Sequence, residues 1–429
     1  MSYNPAQGGF AKYFFSMLDD ADRNFQYGLA IKACIEEFIA TEKRAPRVLD
    51  VGIGTGMLSA LCIEHGAAHV TGVDVNPTMT ALAKDTLSEV DPSGKKWTVK
   101  LVKPGASQLG KAKFDMLVSE ILGTLTTSES MYKYIGIYAH HLTTFGGGEV
   151  DEDGAGLSER GAARRVYAVP RSTTQYFSVM SYDKADLGAP LAAALEHATQ
   201  SAEAARKLVP TNEGGLGLHL PLYHGERIGE RLAIHTERYD RLLPSSKGDG
   251  KLVFAYDGLG KSVTLEHAHL DSASRLNLGI FEWSVELWKG VHLENTLEFY
   301  RTMPLRNQLA RGSAWGFFVT ALPEITSDVS GTRLPNMSVK ANLLNAVTKV
   351  RIGTCLLPTS SATEKAHPFP SLQPRFSLLR VLSPVRLANN PHPSPHLLAV
   401  AFAIRRPRRS SSSPANASEV TSATRRSPT

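Results

Sequence analysis

Two acidic side chains, Glu120 and Glu129, bracket the short segment ILGTLTTS. Glu120 follows the apolar run Phe114–Ser119, which reads as a strand. It therefore falls at a strand's carboxyl end, where parallel sheets place ligand sites. A hairpin-like loop bending at Gly123 would bring Glu129 back to the same place. Two carboxylates so placed can hold a planar guanidinium by charge-assisted bidentate bonds, the geometry arginine prefers. They also offset a charge that would otherwise repel another cation bound nearby. From spacing alone, a pair of solvated loop acids is an equally open reading.

The second constellation is VLDVGIGTG, residues 48–56: an apolar strand ending in glycines and opening a helix. Glycines let a ligand approach the backbone closely, and helix N-terminal amides favour polar or anionic groups. Gly52, Gly54 and Gly56 recur every second residue, unlike the G-x-G-x-x-G of dinucleotide sites. Asp50 stands just before the first glycine, where a carboxylate suits a cationic amino group. Asp74 ends the next strand, placed to accept ribose hydroxyls. S-adenosylmethionine carries both a sulfonium and an ammonium. NAD brings a pyrophosphate, which the Asp50 carboxylate would oppose.

The elements that must position these residues alternate. Residues 11–42 read as a helix with Phe14, Met17, Leu18, Ala21, Phe25, Leu29 and Ala33 at helical spacing. Strands at Arg47–Val51, His69–Val75, Trp97–Val102 and Phe114–Ser119 are separated by helices at Met57–His65 and Pro77–Glu89. This alternation predicts a parallel, doubly wound sheet. Gly146–Arg165 is rich in glycine and charge without periodicity, and reads as a flexible insertion loop. Val166–Tyr182 is strand-like. Lys184–Lys207 is Ala-rich and helical, with Leu187, Leu191, Ala194, Leu195 and Ala198 as an apolar stripe. Period-2 segments such as Ile280–Leu287 and Leu293–Tyr300 predict antiparallel strands.

The 429-residue chain is 42% hydrophobic and 21% charged, an ordinary globular composition. No run of about 18 apolar residues suggests a membrane span. The first residues lack the pattern of a secretory signal. Cys34, Cys62 and Cys355 are too few and scattered for a disulfide framework or a zinc site. His267 and His269 have no third ligand in reach by sequence, so no metal is expected. An intracellular, cytoplasmic protein is the expectation. Of the 47 basic side chains, ten fall after residue 352, with two of the 41 acids and 11 of the 24 prolines. That segment, 353–429, reads as a disordered basic tail. Its Arg405-Arg406-Pro407-Arg408-Arg409 cluster resembles a nuclear-localisation or anion-binding patch. The rest carries no basic excess, so direct nucleic-acid binding is not expected.

VLDVGIGTG, VTGVDVNP and FDMLVSEILGTLTTSE, in this order, resemble the protein arginine N-methyltransferases. The SE-x8-E pattern is the specific part, similar to that family's double-glutamate loop. The opening YFFSMLDDADRNFQY and the loop's lack of bulky residues look most like its type III, monomethylating branch. The resemblance spans about residues 10–345. It implies a Rossmann-like domain over 1–145 that binds S-adenosylmethionine, then an antiparallel β-barrel domain over 166–345. It also implies a helical dimerisation arm near 184–210, hence a homodimer. Glu120 and Glu129 match the catalytic guanidinium-binding pair. Arg23 matches the arginine that binds the cofactor carboxylate, Asp50, Gly52, Gly54 and Gly56 the glycine loop, and Asp74 the ribose acid. Met17, Met131 and Trp315 match residues of the substrate pocket.

Two positions depart from the family. Ser313-Ala314-Trp315 stands where the family has Thr-His-Trp, so the histidine that pairs with an aspartate, here Asp20, is Ala314. Glu129 or a loop water then becomes the proton acceptor. Ser107 stands where an acid near the adenine is expected. The implied activity is methyl transfer to arginine in proteins such as Gly-Arg-rich proteins or histone tails. The alternative, motivated by Ala314, is a non-catalytic regulatory scaffold that keeps the fold.

Overall fold

The computed structural model describes residues 17–105, 107–126, 129, 131–145, 164–187, 192–193, 216–218, 225–245, 247, 249–257, 261–264, 275–302, 317–321, 333–342 and 347–356. The first long element is helix α1 (Ala21–Glu42). Asp20 caps it, its carboxylate accepting from the Arg23 amide at 3.1 Å. Lys43 closes it in the left-handed region, its N–H bonding the Ile39 carbonyl.

The buried face of α1 is not the one the spacing suggested. Tyr27, Ala30, Ile31, Cys34, Ile35 and Phe38 are fully buried, whereas Phe25 is 62% and Leu29 41% exposed. The Asp20 cap is the reason. It interrupts the helical run between Met17 and Ala21, so a stripe extrapolated from Met17 enters α1 on the wrong face.

Strands β1 (Arg47–Val51), β2 (His69–Asp74), β3 (Trp97–Leu101) and β4 (Met116–Ser119) follow, with α2 (Met57–Glu64) after β1 and α3 (Pro77–Val90) after β2. Asn76 caps α3, accepting from the Thr78 and Met79 amides, and Pro77 takes the first helical position, where its missing N–H costs nothing. After α4 (Met131–Gly136) come β5 (Arg164–Arg165) and β6 (Tyr167–Val169). The sheet order is β3-β2-β1-β4-β6, parallel throughout. The expected doubly wound sheet is present. Its fifth strand, β6, comes from the segment that the sequence reading assigned to the second domain. The β-like run from Val166 splits at Pro170, which has no N–H to give a ladder.

The second part is antiparallel. It contains β7 (Ser172–Asp183), α5 (Lys184–Leu187), β8 (Leu216–Leu218), β9 (Glu226–Pro244), β10 (Leu252–Asp257), β11 (Lys261–Thr264), β12 (Arg275–Trp288), β13 (Val291–Asn295), α6 (Leu297–Thr302), β14 (Phe317–Ala321), β15 (Arg333–Asn342) and β16 (Val347–Leu356). An eight-stranded sheet runs β10-β9-β7-β12-β14-β8, with β13 on β12 and β5 on β9. A three-stranded sheet runs β11-β15-β16.

The strand expected over Leu293–Tyr300 ends at Asn295, and α6 takes over. Thr296 Oγ1 accepts from the Phe299 amide at 3.2 Å and Glu282 Oε1 from the Leu297 amide at 2.7 Å, so side chains start a helix there. β16 also carries regular structure to Leu356, past the expected start of the tail. The insertion loop falls outside the described residues except at its end, where Arg164–Arg165 is strand β5. Most of the arm and all of 357–429 also fall outside them. One apolar core joins both parts: Phe38, Val48, Met116 and Tyr167 of the parallel layer share it with Trp283, Leu287 and Trp288 of β12.

Candidate active site

The site is built at the carboxyl ends of β1, β2 and β4. After β1 the chain turns through glycines in the left-handed region, with φ of 78° at Gly52 and 86° at Gly56. A Cβ on Gly52 would lie 2.6 Å from Ile121 Cγ2, and one on Gly56 3.2 Å from the Ala83 backbone. The close approach of α3 and of the segment after β4 therefore requires these glycines. The Gly52 and Ile53 amides donate to the Val73 carbonyl, and the Gly54 amide to Asp74 Oδ2 at 3.0 Å. Asp74 Oδ1 accepts from the Asn76 amide at 2.8 Å. Burial raises the Asp74 carboxyl above its ordinary range against these hydrogen bonds. Its carboxylate also takes the Val75 amide, and it can still accept from a ligand hydroxyl.

Asp50 is fully buried at the start of this loop. Its Oδ2 accepts from Ser59 Oγ at 2.6 Å, and its Oδ1 is buried with no hydrogen-bond partner among the described residues. Desolvation pushes its carboxyl up to about 7, and Asp74 adds to the rise while Ser59 opposes it. An orphaned buried acceptor beside a glycine turn fits a cationic ligand group, which would lower that pKa and satisfy the oxygen.

Glu120, just after β4, is 5% exposed, and its Oε2 accepts from Arg23 Nη2 of α1. Arg23 Nη1 donates to the Met17 carbonyl at 3.1 Å and to Asn24 Oδ1 at 2.8 Å. Tyr27 lies under the guanidinium and donates its hydroxyl to the Ser119 carbonyl at 3.2 Å. The structure thus joins two residues that the sequence assigned to different ligands. Glu129 is exposed, and it stands close enough to Glu120 and Arg23 for their charges to act on it. Desolvation, then Glu120, push its carboxyl up to about 8, with Arg23 opposing. The two glutamates therefore share one electrostatic neighbourhood, as the loop argument requires.

The remaining candidates are placed as follows. Met17 is half-buried beside Arg23, and Met131 is fully buried in the core at the start of α4. Ser107 is half-buried in the connection between β3 and β4. Trp315 and Ala314 lie outside the described residues. Asp20 Oδ2 is buried with no hydrogen-bond partner among the described residues. Sequence reasoning missed Ser59. A hydroxyl in the first turn of the helix that follows the glycines was the available signal.

Residues 48–144 match a family model described as a methyltransferase domain. The chain is 34% identical over 132 residues to protein arginine N-methyltransferase 7 of Drosophila ananassae, a match covering 30% of this chain and 18% of that protein. It is 34% identical over 131 residues to protein arginine N-methyltransferase 1 of Saccharomyces cerevisiae, covering 30% of this chain and 36% of that one. Among solved structures, Arabidopsis thaliana protein arginine methyltransferase 10 is 14% identical with a TM-score of 0.48, covering 87% of this chain and 97% of that one. The chain spans well under half the length of the curated relatives it matches. The resemblance read from the motifs is borne out over about 132 residues: residues 48–144 are similar to methyltransferase domains, and this part of the chain to the protein arginine N-methyltransferases.

Proposed function

We infer that the chain transfers a methyl group to the guanidinium of protein arginine side chains, giving monomethylarginine. One observation carries the reading: Glu120, at the carboxyl end of a central parallel strand, already holds a guanidinium, that of Arg23, in a buried ion pair. The site is thereby chemically suited to arginine. S-adenosylmethionine, when bound, supplies an electrophilic methyl on a sulfonium. Asp50 would take its ammonium, Asp74 the ribose hydroxyls, Arg23 the carboxylate and Ser107 the adenine edge. Glu120 and Glu129 orient the substrate guanidinium and balance its charge. The attacked nitrogen must shed a proton, and Glu129 is the acceptor once the substrate guanidinium beside it offsets the rise in its pKa and ionises it. Gly-Arg-rich proteins and histone tails as substrates, a homodimer as the assembly, and the cytoplasm and nucleus as compartments complete the proposal. The identities to protein arginine N-methyltransferases support it.

The test separates the two halves of the site. Glu129→Gln is expected to abolish methyl transfer to an arginine peptide while calorimetric affinity for S-adenosylmethionine stays near wild type. Transfer within about twofold of wild type would remove Glu129 from its role.

A further inference from the structure

The loop between the two glutamates is held by a buried polar network on the antiparallel sheet that the methyl-transfer reading does not use. Thr126, in that loop, is 1% exposed. Its amide donates to Gln175 Oε1 at 2.8 Å, and its hydroxyl lies 3.2 Å from the same oxygen and 3.1 Å from His235 Nε2. Gln175 is on β7 and His235 on β9, and the two are cross-strand partners. Gln175 Nε2 donates to the Glu282 carbonyl of β12 at 2.8 Å, so its amide cannot swing away. His235 Nε2 also faces Glu237 Oε1 at 3.3 Å. Glu237 Oε2 accepts from Thr173 Oγ1 at 3.1 Å and from the Tyr239 hydroxyl. His235, Glu237 and Tyr239 alternate along β9 and share one face. All of these side chains are buried.

The hydrogen-bond arithmetic orders this chain. Gln175 Oε1 can only accept, so the Thr126 hydroxyl donates to it. The Thr126 oxygen then accepts from His235 Nε2–H. A buried histidine–glutamate pair is a costly way to fill a core, because well-packed apolar side chains stabilise as well or better. Leu122 and Leu125 already bury the loop, but apolar contact is not directional. The bonds to Thr126 are directional, and they meet the loop three residues before Glu129.

We propose that Thr126, clamped by Gln175 and His235, is the positioning residue that registers the double-glutamate loop on the antiparallel sheet, so that this sheet sets the geometry of the arginine site. Thr126, Gln175 and His235 act through Glu120 and Glu129 and touch no reacting atom. The proposal rests on the methyl-transfer reading, and its test has one arm that does not need turnover.

Thr126→Val keeps the shape and removes the hydroxyl, and Thr126→Ser keeps the hydroxyl. His235→Leu removes the second partner. In full-length protein, Thr126→Val and His235→Leu are expected to lower kcat/KM for an arginine peptide on the order of 10–100-fold, as misplacement of a catalytic group does. Affinity for S-adenosylmethionine should stay within about twofold, because Asp50, Asp74 and Arg23 are untouched. Thr126→Ser should restore most of the activity. In the second arm, hydrogen–deuterium exchange of the peptide containing residues 120–126 should accelerate in Thr126→Val and not in Thr126→Ser. Equal kcat/KM in the valine variant and wild type, equal losses in the valine and serine variants, or unchanged loop exchange would each overturn the inference. If His235→Leu fails to fold, the threonine pair decides. A wild-type chain that binds S-adenosylmethionine but methylates no arginine peptide overturns the functional reading instead, and loop exchange then decides this inference alone.

Discussion

The buried pair between Arg23 and Glu120 makes a quantitative prediction. Their side chains are 5% and 2% exposed, so neither charge has water to fall back on. Replacing Arg23 by methionine removes the cation but fills much of its volume. Glu120 is then left as an uncompensated buried carboxylate, a loss of about 3–5 kcal/mol in unfolding free energy. Replacing Glu120 by glutamine in the same chain removes the stranded charge. The double variant Arg23→Met/Glu120→Gln should therefore lose only about 1–2 kcal/mol, a recovery of about 2–3 kcal/mol over Arg23→Met alone. Urea unfolding followed by tryptophan fluorescence measures both, with an unchanged m-value confirming that the same surface unfolds. Both variants should also bind S-adenosylmethionine more weakly. A loss under about 1 kcal/mol in Arg23→Met, or no recovery in the double variant, would refute the claim that Glu120 depends on a guanidinium.

Three further predictions follow from the same site. Asp50, fully buried, holds its proton up to about 7, against an ordinary value of 3.8. The native chain therefore binds more protons than the unfolded chain across that window, so stability should fall as pH rises from about 4 to 7. The arginine site needs the ionised pair, so kcat/KM should fall as pH drops below about 8, and saturating cofactor should remove the Asp50 limb. Gly56→Ala should lower the melting temperature and weaken cofactor binding. Its φ of 86° disfavours a side chain, and the new methyl would press on Ala83 at 3.2 Å.

Much of this site was legible in the chain because its positions obey local rules. β1 is mostly apolar because it is buried in a parallel layer, and the glycines after it mark a turn that only glycine makes easily. Asp74 sits next to that turn because β2 pairs parallel with β1, so both strands end at the same edge of the sheet. The buried face of α1 was misread because one cap residue, Asp20, shifts the helical phase. The end of β13 was misread because Thr296 and Glu282 start a helix with side-chain bonds that no periodicity records. The clamp on Thr126 was invisible for a different reason. Gln175 and His235 reach it through strand pairings across long sequence separations, and no spacing rule links them to the loop.

The central claim is that the glutamate pair serves arginine. The direct measurement is transfer of labelled methyl from S-adenosylmethionine to a Gly-Arg-rich peptide, with the products separated after acid hydrolysis. The account predicts label in monomethylarginine, none when the peptide's arginines are replaced by lysine, and none with Glu129→Gln. Calorimetric binding of S-adenosylmethionine without any labelled arginine would contradict it.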